Sequence, residues 1–99
     1  MIVLAMLLSV SVAQAQPARG WTEEKCRRYA AAWEEALPRF GEPGRDFVDS
    51  HAAFLASGCR GPRAACPRSD AEVALADAMT VAALNAGIAG TFLPFACRG

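Results

Sequence analysis

The sequence predicts an all-α fold, a small three-helix domain with a docked C-terminal tail, stapled by two disulfides. Three observations carry the prediction. Apolar residues recur at spacings of three and four in two segments and almost continuously in a third. Glycine and proline punctuate the chain between those segments. Four cysteines, Cys26, Cys59, Cys66 and Cys97, follow an apolar N-terminal leader, and an even count in an exported chain reads as disulfides formed in an oxidising compartment.

The leader comes first. Residues 2–8 (IVLAMLL) form an apolar core, a more polar SVSV follows, and Ala13-Gln14-Ala15 places small residues at alternate positions, as a signal peptidase requires. Residues 1–15 are therefore expected to be a cleaved signal peptide, with Gln16 as the mature N-terminus, although the segment departs from the usual pattern in lacking Lys and Arg. A retained membrane anchor is the alternative, disfavoured because the apolar stretch is short for a bilayer. Without a cysteine at the cleavage point, a lipid-anchored form is not expected. Removal of the leader leaves residues 16–99, about 84 residues, as a single domain whose core alone would be marginal.

The first helix is expected to start at Thr22, an N-cap followed by Glu23 and Glu24, which complement the helix dipole. Cys26, Ala30, Trp33, Leu37 and Phe40 then mark its apolar face, and Pro38 stops it near Leu37. Gly41, Pro43 and Gly44 make a turn. A second helix is expected from about Arg45 to Ser57, with Phe47, Val48, His51, Phe54 and Leu55 on one face and Gly58 as a left-handed cap. Cys59 to Arg68 is a loop rich in arginine. Ser69-Asp70-Ala71-Glu72 is an S-x-x-E capping box that opens a third helix, apolar nearly all round and therefore expected to be the buried central one. From Ala78 to Ala96 no charge occurs, which a hydropathy scan would take for a membrane span; Asn85, two glycines and Pro94 argue for a core and a docked tail instead.

Four cysteines permit three pairings. If the first two helices form an antiparallel hairpin, Cys26 near the start of one lies beside Cys59 just past the end of the other. That leaves Cys66 for Cys97. The nested arrangement, Cys59 with Cys66 and Cys26 with Cys97, is the next alternative. No C-x-x-C pair exists, which disfavours a zinc site, redox chemistry and haem attachment, so no cofactor or metal is expected.

Ten acidic and ten basic residues balance, and nothing suggests nucleic acid as a partner. Arg60, Arg63, Arg68 and Arg98 are expected to gather with Arg27 and Arg28 at one end, a candidate anion or partner surface. Glu23, Glu24, Asp70 and Glu72 are expected at the same end and would neutralise it. Trp21, Trp33, Phe92 and Phe95 would line a small groove or fill the core. His51 is the only histidine. Between Phe47 and Phe54 it reads as a hydrogen-bonded core residue, and with no spare thiol there is no obvious nucleophile for it to activate. The adjacent acids Glu23 and Glu24, and Glu34 and Glu35, diverge by about 100° on a helix and do not converge on a substrate.

The runs SGC (57–59), CPRS (66–69) and NAGIAGTFLPFACR (85–98) resemble small exported bacterial four-cysteine proteins of unknown function. The resemblance covers roughly the last half of the mature chain and implies export and a shared style of fold, but no activity. Size and architecture are also similar to those of toxin-neutralising immunity proteins and periplasmic chaperones. The expected role is non-enzymatic: a periplasmic or secreted module that binds another envelope protein or is structural, with no transmembrane helix in the mature chain. Toxin neutralisation, chaperone action, and a small enzyme or metal carrier using His51 are the alternatives. A lipid-associated role would require an exposed apolar patch at Trp21 or residues 92–95.

Overall fold

The computed structural model describes residues 18–97, so the expected leader, its expected cleavage point and Arg98 lie outside the described residues. Three helices run in order: α1 Ala18–Ala36, α2 Arg45–Ala56 and α3 Asp70–Asn85. Short 3-10 turns follow α1 at Leu37–Arg39 and precede the tail at Gly90–Phe92. No helix among the described residues is long and apolar enough to cross a membrane; the uncharged stretch 78–96 divides into the end of α3, a turn and an irregular tail.

α1 begins a full turn before the expected cap. Thr22 lies inside the helix, and the added turn carries Trp21, whose ring is covered by Lys25 Nζ at 5.8 Å and Arg28 Cζ at 5.2 Å. Those partners are four and seven residues on and face Trp21 only if the helix is continuous through Thr22. At the other end Pro38 tightens the chain into the 3-10 turn, and Gly41, at φ 87°, reverses it.

α2 matches its expected span within one residue and buries Phe47, His51 and Phe54. Its C-terminus is closed by two successive left-handed residues, Gly58 (φ 76°) and Cys59 (φ 63°). The Cys59 N–H donates to the Phe54 carbonyl at 3.0 Å and that of Gly58 to Leu55 at 3.0 Å, satisfying carbonyls the helix leaves open.

α3 is not buried all round. Leu75, Ala76, Met79 and Ala83 face the core, whereas Val73, Val81 and Leu84 are exposed at 43, 58 and 56%. The reason is the number of elements: among the described residues α1, α2 and the tail cover one side of α3, and no further element lies over the other.

The core joins Tyr29 and Trp33 of α1, Phe47 and Phe54 of α2, Leu75 and Met79 of α3, and Ile88, Phe92 and Leu93 of the tail. Edge-on contacts of Phe92 with Tyr29 and Phe54, at centroid separations of 6.2 and 6.0 Å, fix the tail by its ring. Two backbone hydrogen bonds, from Ala65 N–H to the Pro94 carbonyl and from Ala96 N–H to the Ala65 carbonyl, lay the tail along the 59–68 loop. The disulfides are Cys26–Cys59 and Cys66–Cys97, as the hairpin geometry requires, with Cα separations of 5.6 and 4.7 Å. No described cysteine is free.

Candidate functional site

His51 reaches the interior because α2 places it one turn from Phe47 and less than one from Phe54, on the face that meets α1. It is 1% exposed. Its ring stacks on Trp33, with centroids 3.5 Å apart and planes 17° off parallel, and Phe95 of the tail lies 6.0 Å away. Nε2 is 2.6 Å from the Tyr29 hydroxyl. Burial pulls the imidazole down to about 4, while it pushes the Tyr29 phenol well above its usual range. Both groups are thus neutral at pH 7. The tautomer with its proton on Nδ1 leaves Nε2 to accept the phenolic hydrogen. This arrangement orients two rings in the core and offers no open face to a substrate.

Glu72 is a second buried polar side chain among the described residues, 6% exposed. The expected capping box is present: Ser69 Oγ accepts from the Glu72 N–H at 3.1 Å, and Glu72 Oε1 accepts from the Ser69 N–H at 3.2 Å. Oε1 also accepts from the Arg68 N–H at 2.8 Å. Oε2 reaches across to a different helix and accepts from the Gly44 N–H, the residue capping α2, at 2.6 Å. One carboxylate therefore closes the N-termini of α2 and α3 together, where both helix dipoles favour negative charge. A Cβ at position 44 would lie 2.9 Å from Oε2, so any larger residue there would displace the carboxylate from this position. The backbone N–H groups of Arg68 and then Gly44 hold the Glu72 carboxyl below its ordinary value, with burial acting in the opposite direction. Glu72→Ala is expected to cost about 2 kcal/mol, measured by urea denaturation, because it strands three backbone donors; a loss no larger than that of an exposed Glu→Ala change such as Glu35→Ala would show that the clasp is not holding the helices.

The described arginines do not form one pole. Arg60 shares a cleft of about 300 Å³ with Arg27, Glu23 and Leu55 beside the Cys26–Cys59 bridge. Arg63 covers the Phe54 ring, its Cζ 5.4 Å from the centroid, and its Nη1 donates to the Arg60 carbonyl at 3.4 Å. Arg27 and Arg28 both pair with Glu24. Arg68 stands elsewhere, lining a cleft with Arg45, Phe47 and Glu72 at the start of α2. α2 separates these two ends by about 18 Å, and the 59–68 loop runs back along it. Asp70 and Glu72 accompany Arg68, leaving Glu23 and Glu24 as the acids near Arg27 and Arg60.

Among the proposed groove residues, Trp33 and Phe92 fill the core, and Phe95 stacks on Phe47 at 5.9 Å. Trp21 is 42% exposed beneath its two cations. No group of three or more His, Cys, Asp or Glu among the described residues is placed to hold a metal ion.

No family model, curated protein or solved structure matches the chain.

Proposed function

We propose that this chain is a small exported module of the bacterial envelope that works through its surface, binding another envelope protein or serving as a structural element, and that it is not an enzyme. The observation that carries the reading is the enclosure of His51: the one histidine is committed to Tyr29 and Trp33 and is 1% exposed. All four cysteines are committed to disulfides as well, so the side chains best suited to nucleophilic or general acid–base work at neutral pH are engaged in holding the fold. Two disulfides fit a periplasmic or secreted location, in agreement with the leader read at residues 1–15.

The test is affinity capture from the organism's own envelope fraction, using the exported, disulfide-bonded protein as bait. A saturable partner retained equally by wild type and a folded His51→Gln variant is the expected result. Failure to retain any partner, together with a turnover or a bound metal lost in His51→Gln, would replace the binding module with an enzyme or metal carrier. The exported form is expected to begin at Gln16, and its intact mass decides this: a species retaining residues 1–15 in the membrane fraction means an anchored protein.

A further inference from the structure

The reversal between α1 and α2 forms a cleft of about 670 Å³, roughly twice the volume of the clefts at Arg60 and at Arg68. Its floor is apolar, built from Leu37, Pro38, Pro43 and Val48, and Glu34 and Glu42 stand on its rim. The sequence dictates this shape locally. Pro38 ends α1 in a 3-10 turn, Gly41 takes the left-handed conformation that turns the chain, and Pro43 leads it into α2. With two prolines fixing φ, the walls are set before anything binds, which lowers the ordering cost of association. Leu37, Pro43 and Val48 are half-buried, so part of each remains available.

The electrostatics have one sign. Glu34 and Glu42 are exposed, and neither forms an ion pair or side-chain hydrogen bond among the described residues, in contrast to Glu24, which is engaged by Arg27 and Arg28. Arg39 and Arg45 belong to the same stretch of chain but do not line this cleft; Arg45 borders the one beside Glu72. An apolar floor under two unpaired carboxylates complements a ligand that carries a cation next to an apolar group.

We propose that this cleft binds an extended segment of a partner protein in which a lysine or arginine lies beside an apolar side chain. The proposal rests on the binding-module reading and supplies the chemistry of the partner. The apolar side chain sits on Leu37, Pro43 and Val48, and the cation is held between Glu34 and Glu42. Because the charges stand on the rim, their share of the affinity is screened as salt is raised.

The test is an NMR titration of the exported, disulfide-bonded protein with capped hexapeptides of alternating leucine and serine, one with a central arginine and one with a central glutamate. The arginine peptide is expected to shift the amides of Leu37, Gly41, Glu42 and Val48 saturably, to bind more weakly as salt is raised, and to lose about tenfold in affinity to the E34Q/E42Q double variant. The glutamate peptide should leave those amides in place. Both substituted positions are exposed, so an unchanged melting temperature checks that the variant is folded. Shifts confined to another face, such as Val73 to Leu84, or an affinity unaffected by the double substitution, would overturn the assignment. If the envelope partner is still captured by E34Q/E42Q, the cleft is not its site and the binding module stands; if no partner is captured by wild type, the module reading itself fails.

Discussion

Replacing Cys26 and Cys59 together by alanine is expected to lower the stability of the domain by about 4 kcal/mol, the largest effect of any change considered. The bridge spans 33 residues, and opening a loop of that length returns to the unfolded chain the conformational freedom that the cross-link had removed. A domain of this size has a total stability of only about 5–10 kcal/mol, so the bridge supplies a large share of it. The check is urea denaturation of the oxidised variant. A loss below about 1 kcal/mol would mean that the unfolded chain is already compact between these positions and that the bridge restrains little. The 31-residue span of Cys66–Cys97 gives a comparable expectation for the second pair.

Acid should destabilise the protein through His51. In the unfolded chain the imidazole titrates at 6.5, and in the folded core at about 4. Between these values the unfolded state holds a proton that the folded state refuses, so stability rises with pH across the window and is lost as pH falls from 6.5 toward 4. A depression of this size corresponds to roughly 3 kcal/mol. Below 4 the contribution of His51 is exhausted. Glu72 acts at the lower edge: its folded value is depressed, so its stabilisation is present above its unfolded value of 4.5 and is lost as pH falls through the folded one. Melting temperatures measured from pH 7 to pH 4 should fall steeply for wild type and much less for His51→Gln, which can still bond to Tyr29 but does not titrate. An equal slope in both proteins would assign the acid sensitivity to carboxylates and remove His51 from the account.

The parts of this fold that could be read from the sequence are those with local causes. The α3 cap follows from Ser69 and Glu72 alone, α2 from its apolar spacing and Gly58, and both disulfides from the pairing of two adjacent helices. The start of α1 is not legible because Thr22-Glu23-Glu24 imitates a cap and Gly20 weakens the preceding turn, whereas the contacts of Trp21 with Lys25 and Arg28 appear only once the helix exists. The exposure of Val73, Val81 and Leu84 depends on how many elements are left to cover α3, which periodicity does not count. Long-range geometry accounts for the rest. The bond from Gly44 to Glu72 joins residues 28 apart, and the separation of Arg68 from Arg60 depends on the direction taken by an irregular loop. Of the candidate surface, Arg60 and Arg27 share one cleft; the cleft under Glu34 and Glu42 cannot be read from the sequence, although Gly41 and Pro43 are recognisable there as part of a turn and Pro38 as a helix stop.

The two bridges follow one another along the chain without crossing or nesting, so the molecule is covalently two rings in series, joined by the short stretch between Cys59 and Cys66. A chain threaded through a membrane N-terminus first presents Cys26 and Cys59 before Cys66 has emerged. An oxidant that joins each cysteine to the next one available therefore makes the native pairs in order, and the finished product needs no reshuffling by an isomerase. Connectivity alone thus encodes a route of assembly in which each pair can close before the next cysteine arrives.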